Sequence, residues 1–82
     1  MDVVHKVYQE SELIKSFSDS CWYDTATPYS WCLGQLQTLK DILLAGHAFT
    51  IVSDGMEYHT NTLKDFKWWI KNIFGGGFEE DL

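Results

Sequence analysis

The stretch HAFTIVSDGMEYHT, residues 47–60, decides the fold class. Two runs rich in β-branched and aromatic residues, His47 to Ser53 and Met56 to Thr60, flank Asp54-Gly55. That dipeptide suits a two-residue type I′ turn, because both central residues of such a turn need positive φ. A turn there sets Ser53 opposite Met56, Ile51 opposite Tyr58 and Phe49 opposite Thr60. Phe49, Ile51, Met56 and Tyr58 then share one face and Thr50, Val52, Glu57 and His59 the other, so one side packs on helices while the other is largely wet.

Working outward toward the C-terminus, Thr62 offers a capping hydroxyl with Asp65 three residues on, a variant of the capping box. Leu63, Phe66, Ile70, Ile73 and Phe74 follow at helical spacing as a buried stripe. Gly75-Gly76-Gly77 stops this helix, and residues 78–82 are expected to form a flexible acidic tail.

Toward the N-terminus, Thr27-Pro28 is a helix start, since the N–H that proline lacks has no partner at that position anyway. Cys32, Leu36, Leu39, Ile42 and Leu43 then recur at three and four, and Gly46 stands where a left-handed cap ends a helix. Ser11 caps a predicted shorter helix carrying Leu13, Ile14, Phe17 and Cys21, while Trp22 to Thr27 reads as a loop. Val3 to Tyr8 reads as a strand, although its apolar positions also fit a helix face. The predicted architecture is α+β: a small antiparallel sheet, the hairpin plus a possible N-terminal strand, packed on one face by about three helices. It forms one domain over residues 1–77. An α-α-β-β-α order is the alternative.

Twelve carboxylates against six lysines, with no arginine, argue against duplex nucleic acid and anionic membranes as partners. Phosphate recognition favours positive charge and the guanidinium fork, and a net charge of −6 steers the protein toward basic surfaces instead. The N-terminus has neither the basic segment nor the apolar run of a secretory leader, so a cytoplasmic location with free thiols at Cys21 and Cys32 is expected. The longest uninterrupted apolar run, Ile42 to Ala45, is far short of a membrane span.

No catalytic residues, metal ligands or cofactors are expected. Paired His or Cys ligands at zinc spacing are absent, and strand parity sets His47 and His59 on opposite faces. There is no Gly-x-Ser-x-Gly and no Cys beside His, and the glycine run follows a helix rather than opening one, so nucleophile and phosphate-loop chemistry lack their motifs. Cys32 lies in an apolar stripe and reads as a buried structural thiol.

Four Trp, four Tyr and five Phe carry the positive signal. Trp68 falls among Lys64, Lys71 and Asn72 on the polar side of the last helix, where no core awaits it, and exposed Trp and Tyr are enriched at interface hot spots. Trp22, Tyr23, Tyr29 and Trp31 form a second cluster that serves either as a lid on the core or as an interface.

The expected function is a non-enzymatic module binding a larger protein or complex through Trp68, Lys64, Lys71 and the aromatic loop. In general profile the short, acidic, aromatic-rich chain resembles small phage- or mobile-element-encoded inhibitors of bacterial defence nucleases, including anti-CRISPR proteins, a resemblance that rests on no specific residues. It would place the protein in the cytoplasm of an infected host. A small accessory subunit of an enzyme complex and an acidic DNA mimic are the alternatives; the carboxylates are scattered, and only Glu79, Glu80 and Asp81 cluster.

Overall fold

A computed structural model of the chain describes residues 3–18 and 29–82. Its order is β1 (Val4–Gln9), β2 (Glu12–Ser18), α1 (Tyr29–Leu44), β3 (Phe49–Ser53), β4 (Met56–Thr60) and α2 (Leu63–Trp69). The last helix continues as a π-helical turn, Ile70–Phe74, and a 3-10 turn, Phe78–Asp81, follows. The fold is α+β. Its antiparallel sheet has four strands in the order β2-β1-β3-β4.

The hairpin at Asp54-Gly55 has the predicted register, with Ser53 opposite Met56, Ile51 opposite Tyr58 and Phe49 opposite Thr60. Asp54 and Gly55 take φ of 50° and 79°, the paired positive values of a type I′ turn. The N-terminal segment is strand rather than helix, over Val4–Gln9.

The helix expected after Ser11 does not form, and residues 12–18 are the edge strand β2. Glu10 and Ser11 adopt φ of 50° and 71° and close a second two-residue hairpin, in which Gln9 faces Glu12. Leu13, Ile14 and Phe17 misled because their spacing fits one helix face, whereas on the strand Leu13 pairs with Tyr8 and is half exposed while Phe17 pairs with His5 and is buried, so the two lie on opposite faces. A bulge completes the disguise: Val7 pairs with Lys15 and Tyr8 with Leu13, so Ile14 is the extra residue and the alternation changes phase there. Two helices therefore accompany the sheet, rather than about three.

Helix α1 buries Cys32, Leu36, Leu39 and Leu43, the expected stripe. It ends in a Schellman cap, where the Gly46 N–H donates to Leu43 O at 3.0 Å and the His47 N–H to Ile42 O at 3.1 Å, with Gly46 at φ 90°. Thr27-Pro28, its expected start, lies outside the described residues. Cys32 is disulfide-bonded, which corrects the expectation of a free thiol; Cys21, the only other cysteine in the sequence, also lies outside the described residues. That expectation rested on compartment and on the place of Cys32 in an apolar stripe, and burial among apolar residues is compatible with a disulfide as well as with a thiol.

Helix α2 is capped as predicted: Thr62 Oγ1 accepts from the Asp65 N–H at 3.1 Å, and the Asp65 carboxylate accepts from the Asn61 N–H at 3.4 Å. Phe66, Trp69, Ile70 and Phe74 are buried from this segment. The Gly75 N–H donates to Ile70 O at 2.8 Å and closes the π turn. After Gly75-Gly76-Gly77, where a tail was expected, the chain returns to the core. Phe78 is buried, stacks on Tyr29 with centroids 4.5 Å apart, and meets Phe74 edge-on at 5.3 Å. Glu79 and its acidic neighbours suggested solvation, but burial of one adjacent Phe, worth about 1.5–3 kcal/mol, is enough to dock the segment.

Val7, Phe17, Phe49 and Ile51 of the sheet meet the helices in one core. Within it His5, Ser53 and Trp69 form a buried polar chain. Trp69 Nε1–H donates to Ser53 Oγ at 3.2 Å, and Ser53 Oγ lies 2.7 Å from His5 Nδ1. With one Ser53 lone pair taken by the indole, the hydroxyl proton is free to serve the imidazole. The His5 ring also packs against Trp69, Phe74 and Phe17, at 5.1, 5.5 and 6.0 Å.

Candidate functional site

Helix α2 lies beside β4, and the two present one exposed aromatic pair. Trp68 is 53% exposed, and its ring centroid lies 6.3 Å from that of Tyr58, which is half-buried on the helix-covered face of β4. The cap at Thr62 sets the rotation of α2 that makes this pair. Phe66 and Trp69 turn inward as neighbours of the core, so Trp68 is left outside. Lys64 and Lys71 are exposed on the same helical segment, and Asn72 Nδ2 donates to Trp68 O at 2.8 Å at its end. A groove of about 350 Å³ runs along β4, between Glu57 to Thr60 on one side and Asp65, Trp68 and Trp69 on the other.

The second set of aromatics is separate. Tyr29 and Trp31, at the start of α1, are 40% and 46% exposed. Among the described residues no ring contact joins either of them to Trp68. Tyr29 is a docking post for the C-terminal segment: it stacks on Phe78 and its hydroxyl donates to the Asp81 carboxylate. That hydrogen bond, aided by desolvation and the negative charge of Asp81, Glu79 and Glu80, raises the Tyr29 phenol from its usual value to about 12. Lys40 donates to the main-chain oxygen of Leu82, a second tie on the same segment. Trp22 and Tyr23 lie outside the described residues.

Sequence reasoning overlooked two residues. Tyr58, assigned only to the inward face of the hairpin, borders the groove as the neighbour of Trp68. Trp69 stands three residues after Phe66 and so belongs to the buried stripe; the same helical spacing would have found it. Strand parity did not decide the placement of His47, because β3 begins only at Phe49. His47 and His59 both line one open depression of about 550 Å³, together with Glu10 and Glu12. Among the described residues no three of His, Cys, Asp or Glu come together as a metal-binding group. None of the helices there is long and apolar enough to cross a membrane.

No family model, no curated protein and no solved structure matches the chain.

Proposed function

We propose that the chain is a non-enzymatic protein-binding module whose contact surface is centred on Trp68. The observation that supports this reading is the half-exposed indole beside Tyr58, on a helix whose apolar requirement is already met by Phe66, Trp69 and Ile70. An indole in that position can bury a large area against a partner with few rotatable bonds to freeze. Lys64 and Lys71 give it a basic border in a chain of net charge −6, which favours acidic groups on the partner around an apolar contact. Tyr29 and Trp31 are assigned to the proposal only as a secondary surface, since Tyr29 already holds the C-terminal segment.

The narrower reading, a small inhibitor of a larger host defence complex, follows from the chain's general profile. The accessory-subunit alternative predicts the same contact surface and differs in the partner.

The test is retention of a partner from a lysate of the native host on immobilised protein, compared between wild type, Trp68→Ala and Lys64→Glu/Lys71→Glu. A protein bound in stoichiometric amount by wild type and lost from both folded variants is the expected result. Equal retention by all three would overturn the reading.

A further inference from the structure

The sheet has two edges, and they are not alike. Edge strand β2 carries the Ile14 bulge, and Lys15 stands on its helix-covered face, tied to Gln35 Oε1 at 2.6 Å. Bulges and inward-facing lysines are standard devices against edge-to-edge pairing. Edge strand β4 has neither: Met56–Thr60 is regular along its length and contains no lysine or proline.

The hairpin register dictates which backbone groups of β4 face outward. In a two-residue hairpin the residues flanking the turn form a hydrogen-bonded pair, and such pairs alternate along the ladder. Met56, Tyr58 and Thr60 therefore direct their main-chain groups to Ser53, Ile51 and Phe49, while Glu57 and His59 direct N–H and C=O away from the sheet.

We propose that β4 is a dimer seam, in which two copies of this chain pair their β4 strands antiparallel about a twofold axis at Tyr58. This pairing sets Glu57 opposite His59 of the second copy and His59 opposite its Glu57, with the outward main-chain groups of both residues bonded across the seam. Each carboxylate faces an imidazole, so the edge is complementary to itself. Thr50 Oγ1 already engages His59 Nδ1 at 3.0 Å, which orients the ring and leaves Nε2 for the incoming carboxylate. On the helix-covered face Tyr58 meets its own copy, and the exposed Met56 comes opposite Thr60. The same pattern already exists inside the chain, where β1 and β3 pair about Val7 and Ile51. A twofold normal to the sheet keeps both helix layers on one side, so the two Trp68 surfaces share one side of a continuous sheet. The inference goes beyond the partner-binding reading and does not rest on it.

Sedimentation equilibrium of the full chain, from micromolar concentration upward, is expected to show a monomer–dimer equilibrium. Tyr58→Cys should cross-link as a covalent dimer under mild oxidation, because directly opposed residues of a non-hydrogen-bonded pair lie about 4.5 Å apart at Cα, within disulfide reach. Glu57→Lys, an exposed substitution, should raise the dimer dissociation constant at least about tenfold by placing a cation against His59. The double exchange Glu57→His/His59→Glu should restore the dimer, since it keeps both pairs with their members swapped. A monomer at all concentrations would overturn the proposal. A dimer that neither cross-links through Tyr58→Cys nor weakens in Glu57→Lys would overturn it equally, by placing the contact elsewhere. Glu57→Lys and the double exchange leave both Trp68 and Tyr58 in place, so loss of partner binding in Trp68→Ala is a separate result.

Discussion

Val7 and Ile51 face each other across the central strand pair, and a two-residue hairpin extends outward from each of them. Each strand belongs to a hairpin closed by two residues of positive φ, Glu10 and Ser11 in one and Asp54 and Gly55 in the other. Counting back from either turn reaches Val7 or Ile51 at the same step, so β1 and β3 meet in a register that a twofold through this pair would preserve. Each hairpin is followed by a helix, and the fold is two ββα units joined at their first strands. Both side chains are fully buried. Ile51→Ala, a fully buried truncation on a central strand, is expected to cost about 3 kcal/mol, measured by urea unfolding. A loss below about 1 kcal/mol would show that the two units do not share one core there.

The two hairpin turns differ in how well their residues fit the backbone. Gly55 holds φ 79° at no steric cost, whereas Glu10 and Ser11 hold φ of 50° and 71° against the preference of residues with a Cβ. Gly55→Val should lower stability by about 1–2 kcal/mol. Glu10→Asn with Ser11→Gly should instead raise it by about 1 kcal/mol, since this pair fits type I′ geometry. Thermal melts of both variants check the opposite signs.

Ser53 serves two buried partners with one hydroxyl, the Trp69 indole and the His5 imidazole. Ser53→Ala removes the acceptor of one and the partner of the other in a site closed to water. A loss of about 2–3 kcal/mol is expected, more than an ordinary hydrogen bond, because buried polar groups lose their partners. Denaturation that leaves the midpoint within experimental error of wild type would show that neither group depends on the hydroxyl.

Adjacent tryptophans should behave in opposite ways. Trp69 is 1% exposed and Trp68 53%. Trp69→Ala is expected to cost about 3–5 kcal/mol, and Trp68→Ala less than about 1 kcal/mol. Parallel chemical denaturation of the two proteins checks the contrast, and a large loss in Trp68→Ala would assign that ring to folding rather than to a contact surface.

The Tyr29 phenol, raised to about 12 chiefly by its hydrogen bond to Asp81, links stability to alkaline pH. Its folded pKa lies above the ordinary value near 10. The contribution is therefore fully present below pH 10 and is lost as pH rises from there through about 12. Tyr29→Phe should remove this part of the pH dependence and leave the stack on Phe78 in place. Unfolding measured across the alkaline range in both proteins is the check. Identical slopes would show that the hydroxyl does not hold Asp81 in solution.

Local chemistry in the sequence determined one hairpin, the caps at Gly46 and Thr62, and the inward faces of α1 and β3. Asp54-Gly55 admits few turns, the Thr62 hydroxyl and Asp65 specify a helix start, and Gly46 an end, each within a few residues of chain. The exposure of Trp68 was also legible, since helical spacing alone sets it opposite the stripe. Tertiary structure decided the rest. Leu13, Ile14 and Phe17 fit one helix face, and only pairing with β1, available across a turn that Glu10 and Ser11 do not announce, selects the strand. Phe78 sits in an acidic segment that local chemistry sends to solvent, and only the Tyr29 ring and the core beside Phe74 give it somewhere to bury. The groove at Trp68 exists because β4, a strand legible by itself, ends the sheet order β2-β1-β3-β4. Which strand lies at an edge is fixed by contacts between residues far apart in the chain, and no local pattern encodes it.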